Sequence, residues 1–143
     1  MTFDSNDRSG VILFYITKHD PIKLLTVVCY GNKRGIPKGH FDPDKDPSLI
    51  HCASRELEEE TGITDIKLDE KMFCKVDNMI IYITKTKHLY DVNKLLENCQ
   101  DRNEITEINW ITYEDLQKLN NSVINNSLRY IKHSWFKLVQ RII

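Results

Sequence analysis

The chain has 143 residues, with 20 Lys and Arg against 21 Asp and Glu, a formal net charge of -1. A composition of 41% hydrophobic and 29% charged residues suits a folded soluble protein, and the charge balance excludes a polycation that holds nucleic acid by charge alone. This length fits one domain over residues 1–143, and such a chain should bury roughly two thirds of its unfolded surface, a core that needs no disulfides.

Residues 1–9 are polar and read as a frayed start. Residues 11–16 (VILFYI) and 24–30 (LLTVVCY) are continuous apolar runs, predicted as strands buried on both faces and joined by a turn around Asp20 and Pro21. The first run is too short for a signal segment or a membrane span, and no basic flank or cleavage site accompanies it. Cys29, Cys52, Cys74 and Cys99 stand far apart with no C-x-x-C pair. They read as small buried thiols in a reduced, cytoplasmic protein that does not engage a membrane.

Residues 31–39 (GNKRGIPKG) are predicted as a loop and residues 42–47 (DPDKDP) as an acidic, turn-rich one. A helix follows, with Asp46 as the expected N-cap and Pro47 at its first position. Residues 48–61 contain no Gly or Pro, and Gly62 is a natural stop. Residues 63–68, 72–76 and 79–84 are strand candidates, with Asn78 marking the hairpin turn. Residues 90–99 form a short helix or a loop, 105–111 a strand, 113–119 a short helix and 123–143 a long final helix. Strands interspersed with helices imply a mixed α/β or α+β sandwich.

The informative helix is the one ending at Gly62. At about 100° per residue, Glu56 and Glu60 fall within roughly 20° of Leu49, on the apolar stripe that Leu49 and Ala53 define. Glu59 lies alongside. Carboxylates on the core-facing side repel one another and resist desolvation, so they need a compensating charge. Mg²⁺ and Mn²⁺ supply one, being hard cations that prefer carboxylate oxygens, and Arg55 can hold a neighbouring carboxylate ionised and oriented. Taken alone, the segment also fits a solvated acidic helix. The preceding Gly35-Ile36-Pro37-Lys38-Gly39-His40 weighs against that: glycine lets backbone approach a phosphate or metal, and Lys38 brings a point charge.

These residues together resemble the Nudix hydrolases, whose signature is G-x5-E-x7-R-E-U-x-E-E-x-G-U with U aliphatic. Arg55, Glu56, Leu57, Glu59, Glu60, Gly62 and Ile63 match its second half without a gap. The first half departs from it. The interval from Gly39 to Arg55 is two residues too long, Pro47 occupies the register of the first-half Glu, and the acids of residues 42–46 are left as candidates to replace it. The resemblance implies an α/β/α sandwich with a mixed β-sheet and Mg²⁺ or Mn²⁺ as cofactor. It implies Glu59, Glu60 and the Gly39 carbonyl as metal ligands, and Glu56 as a ligand or the base, oriented by Arg55. The implied reaction is attack of water on the pyrophosphate of a nucleoside diphosphate linked to another group.

Asn103-Glu104-Ile105, ahead of a strand containing Trp110, is similar to a stretch in the mRNA-decapping branch of that family. There the Glu is metal-linked or the base, and Glu104 is the matching position. Cys52-Ala53-Ser54-Arg55-Glu56 and Pro37-Lys38-Gly39 also look like that branch. The chain leaves no room for the branch's N-terminal regulatory domain, so the resemblance is to a compact form of the sort seen in large DNA viruses. Lys38 and His40 are candidate substrate-binding residues, and Tyr15, Tyr30 and Phe41 are candidates to stack on a base. Arg129, Lys132, His133, Lys137 and Arg141 of the final helix, with Trp135 and Phe136, are a candidate track for capped RNA. The same helix also reads as an amphipathic packing element, with Val123, Leu128, Ile131, Trp135, Leu138 and Ile142 as its core stripe. Diadenosine or diphosphoinositol polyphosphates are the alternative substrates. A non-catalytic nucleotide- or RNA-binding module is the alternative of another class, and monomer and homodimer both stay open.

Overall fold

A computed structural model describes residues 7–29 and 33–143. Tyr30, and with it its candidate stacking role, lies outside the described residues, as do residues 31–32 of the predicted loop. The described elements are strands β1 (Arg8–Tyr15), β2 (Lys23–Cys29), β3 (Lys33–Gly35) and β4 (Lys38–His40), helix α1 (Leu49–Thr61), and strands β5 (Phe73–Val76) and β6 (Met79–Thr86). Helix α2 (Val92–Asn98), strand β7 (Ile105–Thr112), helix α3 (Tyr113–Lys118), a 3-10 turn (Asn121–Val123) and helix α4 (Asn126–Ile142) complete them.

The sheet is mixed. Its path runs β3-β2-β1-β6-β5, with β4 added to β1 and β7 to β2. Strand β1 pairs parallel with β6 along its whole length, and the other pairings are antiparallel. The apolar run in β1 explains its central place. Val11 and Leu13 face one core together with Ala53 and Leu57 of α1. Ile12 and Phe14 face a second core together with Leu128, Ile131 and Trp135 of α4. A strand that feeds both faces must be apolar at every position, as residues 11–14 are. The architecture is therefore an α/β/α sandwich, with α1 and α2 on one face and α3 and α4 on the other.

Two features of the sheet position the site. Strands β1 and β2 pair only at Phe14–Leu24 and Tyr15–Lys23 and then part. The far end of β1 pairs instead with β4, Arg8 opposite His40, while the far end of β2 pairs with β3. The segment predicted as a loop thus holds two three-residue strands. Lys and Gly carry little strand propensity, so their pairing comes from partners remote in sequence.

Helix α1 starts two residues later than expected. Ser48, not Asp46, is the N-cap, its side chain accepting from the His51 N–H. Asp46 is occupied elsewhere. The stop is as expected: Gly62 is left-handed at φ 78° and its N–H reaches the Glu58 carbonyl. Residues 63–68 are not a strand. Ile63, Ile66 and Leu68 add side chains to the α1-side core without backbone partners in the sheet. The hairpin turn at Asn78 is present, with Asp77 at φ 54°. Residues 90–99 contain a helix, α2. The final helix begins at Asn126, capped by Asn125, and Val123 is exposed rather than part of its core stripe.

Candidate active site

Helix α1 carries the cluster. Cys52, Ala53, Glu56, Leu57, Glu60 and Thr61 are its buried residues, so the two glutamates do lie on the packed stripe. Arg55 is the hub of the ion pairs. Its Nε and one terminal nitrogen clasp both oxygens of Asp46 at 2.7 and 2.8 Å. The other terminal nitrogen donates to Glu56 at 3.1 Å and to both Glu59 oxygens at 3.1 Å. A further bond reaches the His40 carbonyl at 3.1 Å, tying α1 to β4.

Asp46 is the acid that meets Arg55 from the acidic loop. The two-residue insertion puts Pro47 in the first-half register, and the carboxylate one residue earlier is the one that pairs with Arg55. Its side chain is fully buried. Burial alone would raise its pKa, but the Arg55 hydrogen bonds and charge, with the Asp42 N–H, outweigh this and hold it down to about 2. The folded value lies below the ordinary 3.8, so the ionised group stabilises the fold fully above about pH 4 and that stability is lost as the pH falls through about 2. The shift corresponds to about 2 kcal/mol. Asp46→Asn should therefore be less stable than the parent near pH 6, and the gap in urea midpoint should narrow toward pH 2. A gap that stays constant with pH would refute the linkage.

The carboxylates converge on one cleft of about 570 Å³, lined by Glu56, Glu59, Glu60, Asp101 and Glu104 together with Arg8, Lys38, Gly39 and His40. One oxygen each of Glu56, Glu59 and Asp101 lies within 4.8 Å of the others. Glu60 sits deeper, 5% exposed, with Oε1 fully buried and without a hydrogen-bond partner. Burial and then the Glu56 charge push Glu60 up to about 9. Burial likewise raises Glu56, with Arg55 opposing, and it raises Asp101 with help from Glu59 and Glu104.

Gly39 is required by this packing. A Cβ built there would overlap the Glu56 carboxylate. Gly39→Ala should displace Glu56 and weaken divalent-cation binding at least about tenfold, about 1.4 kcal/mol, read by Mn²⁺ calorimetry. Unchanged affinity would show that the close approach is dispensable.

The sequence candidates fall as follows. Glu56, Glu59, Glu60, Arg55, Gly39, Lys38, His40 and Glu104 all line this one cleft. Glu104 is exposed on its lip and is not among the three converging oxygens. Phe41 is buried yet lines the cleft, whereas Tyr15 is buried and donates to Asp20. Cys29 is half-buried in the cleft wall, and the other three cysteines are buried thiols. Sequence reasoning missed Asp101 and Arg8. Neither belongs to a local pattern, and only pairing of Arg8 with His40 and docking of the Asp101 loop bring them in.

Helix α4 packs on the opposite face of the sheet from α1. Trp135 is buried edge-on against Phe14 at 5.1 Å, a contact worth about 0.5–1.5 kcal/mol beyond burial. Lys132 donates to the Leu119 carbonyl and Arg129 to the Asn121 carbonyl, so two of the five basic groups secure the connection to α3. His133, Lys137 and Arg141 are exposed. Among the described residues, no helix is long and apolar enough to cross a membrane.

Comparison with known proteins bears on this arrangement. A family model described as NUDIX domain matches residues 7–131. The chain is 36% identical over 123 residues to the "Putative mRNA-decapping protein" of Acanthamoeba polyphaga mimivirus, covering 78% of this chain and 32% of that protein. It is 32% identical over 108 residues to the "Putative hydrolase 111R" of Invertebrate iridescent virus 3, covering 74% of this chain and 61% of that one. The chain thus spans less than two thirds of either curated relative. Among solved structures, the NUDIX domain of Shewanella oneidensis NrtR complexed with ADP ribose superposes with a TM-score of 0.71 at 14% identity, over 96% of this chain and 90% of that one. A C. elegans Ap4A hydrolase gives 0.69 at 19% identity, over 95% and 100%. At these identities the two structures show a shared fold.

Proposed function

This chain belongs to the NUDIX domain family, and we propose that its cleft hydrolyses a pyrophosphate bond in a nucleoside diphosphate linked to another group. The observation that carries the proposal is the convergence of Glu56, Glu59 and Asp101 within 4.8 Å, beside a buried Glu60 oxygen with no partner. A set of hard carboxylate oxygens that outnumbers the cations beside it fits Mg²⁺ or Mn²⁺. Glu56, Glu59, Glu60 and Asp101, with the Gly39 backbone, would hold the ions. A divalent cation bound there supplies charge neutralisation at the phosphate oxygens as the transition state forms.

The protein's own groups supply the rest. Arg55 fixes Glu56 and Glu59 in one geometry, and its bond to the His40 carbonyl sets their height relative to β4. Lys38, His40 and Arg8 line the same cleft as the acids and are suited to the phosphate oxygens of the substrate. Water forms the new P–O bond, the bridging P–O bond breaks, and the proton of the water passes to a carboxylate. Exposed Glu104, on the lip of the cleft, is our candidate for that acceptor.

For the substrate we infer capped RNA, with release of 7-methylguanosine diphosphate and a 5′-phosphate left on the RNA. The 36% identity to a viral protein named for decapping supports this, as does the stretch from Asn103 to Trp110. One observation favours a smaller substrate, a dinucleoside or inositol polyphosphate: the basic helix α4 lies across the sheet from the cleft, so an RNA body cannot use both without wrapping an edge. Cap-labelled RNA with Mn²⁺, run beside diadenosine tetraphosphate and free cap analogue, separates the two. Release of the labelled diphosphate from long RNA is expected. Cleavage of the small molecules alone would overturn decapping, and cleavage of nothing by Mn²⁺-loaded protein would leave a binding module.

A further inference from the structure

We propose that the apolar pocket between the first turn of α1 and the β5–β6 hairpin receives the methylated guanine base of the capped substrate, with Phe73 stacking on the ring and Glu70 accepting from its edge. The proposal rests on the decapping reading above and goes beyond it by placing the base, which the cleft of acids does not.

The pocket forms where the sheet extends past its helix. Strand β5 is the end of the sheet path, and its side chains alternate. Cys74 and Val76 are buried in the α4-side core, whereas Phe73 and Lys75 are exposed. Phe73 pairs with Tyr82 across the hairpin, and Tyr82 belongs to the α1-side core. Phe73 is therefore an aromatic on the α1 side of the sheet that the helix leaves 42% exposed. Its ring meets that of Tyr82 at 6.4 Å, tilted by 57°. Leu49, Ile50 and Ile80 line the same pocket, which has a volume of about 260 Å³.

Glu70 gives the pocket its sign. Among the described residues it is the only charged side chain lining the pocket, and it has no ion pair or hydrogen bond there. The turn that carries it is fixed. The Asp69 side chain accepts from the Lys71 N–H at 2.9 Å, and the Asp69 carbonyl from the Met72 N–H at 3.0 Å. Burial first, and then the Glu70 charge, raise the Tyr82 phenol above its ordinary value. A carboxylate beside aromatic rings selects a flat ring with positive charge and N–H donors on its edge. Methylation at N7 makes guanine such a ring, whereas the unmethylated purines are neutral.

The spacing to the cleft fits the same ligand. Leu49 lines the pocket and Glu56 lines the cleft. They share a face of α1 and stand about 10 Å apart along its axis. A ribose and two phosphates bridge a comparable length, so a base in the pocket leaves the pyrophosphate at the acids.

The test is calorimetric binding of 7-methylguanosine and of guanosine at mildly acidic pH without divalent cation. These nucleosides carry no phosphate, so the acids of the cleft take no part. The parent is expected to hold the methylated nucleoside at least about tenfold tighter than guanosine. Phe73→Ala should weaken that binding at least about tenfold, and Phe73→Trp should retain it. Glu70→Gln keeps the stack but removes the charge, so the two nucleosides should then bind within about twofold of each other. Both positions are exposed, so these variants should fold as the parent does. A parent that binds the two nucleosides alike, or a preference that survives in Phe73→Ala and Glu70→Gln, overturns the proposal. Release of labelled diphosphate from long RNA by that same parent would leave decapping standing. A parent that shows the preference, loses it in both variants and yet releases nothing from capped RNA supports the pocket and overturns decapping alone.

Discussion

Glu59→Gln, and separately Glu60→Gln, should each lower the rate of pyrophosphate cleavage by at least about two orders of magnitude, roughly 2.7 kcal/mol of transition-state stabilisation. The two losses have different origins. Glu59 offers both oxygens to Arg55 and one to the shared pocket with Glu56 and Asp101. The amide keeps the shape of the side chain, but it removes a charge and turns one of the oxygens facing Arg55 into a donor, which repels the guanidinium. Glu60 has no such partner. Its Oε1 is buried without a hydrogen-bond partner, so the amide keeps the shape of the side chain while removing the carboxylate that a bound cation would hold ionised. Rates at saturating Mn²⁺ separate weaker ion binding from a lost chemical role. Near-normal turnover in both variants would sink the assignment of this cleft as the active site.

Arg55→Ala is the substitution with the largest expected effect on the fold. It leaves Asp46 fully buried and ionised with its main counter-charge gone, and breaking a buried pair from one side costs about 3–5 kcal/mol. Burial would then push Asp46 up, since Arg55 is what holds it down. The second consequence is electrostatic. Glu56 and Glu59 lose the donor that stands between them, and their mutual repulsion splays the cluster. Urea unfolding should show the loss of stability, and Mn²⁺ calorimetry on the folded fraction should show weakened binding. Arg55→Lys is a useful partner experiment. An ammonium retains the charge but cannot make the two-pronged contact with Asp46 while reaching Glu56 and Glu59, so it should recover only part of either quantity. Full recovery by Lys would mean that charge alone, not the fork geometry, organises the site.

Several elements were legible in the sequence because they depend on local periodicity. The helical repeat put Glu56 and Glu60 on the face of α1 that also carries Ala53, and both are buried there. Gly62 announced the end of that helix, since a left-handed residue is needed where the last carbonyls are closed off. The unbroken apolar run at residues 11–14 announced a strand covered on both faces, and it forms the middle of the sandwich. The same run-and-period logic misread residues 63–68. Spaced apolar side chains show that a segment touches the core, but not that a neighbouring backbone is there to pair with it.

The amino-acid sequence by itself therefore determined the family signature on α1, the interspersed strands and helices of a mixed fold and the acidic face of the helix, because each is written in residues a few positions apart. Tertiary structure decided which acid of the 42–46 loop meets Arg55, nine residues further on, and that it is Asp46. It decided that Asp101 and Arg8 join the cleft, and that the basic helix α4 lies on the far side of the sheet. These depend on how long the connecting loops reach and on which backbone groups they satisfy when docked. No local pattern encodes a distance between residues brought together by packing.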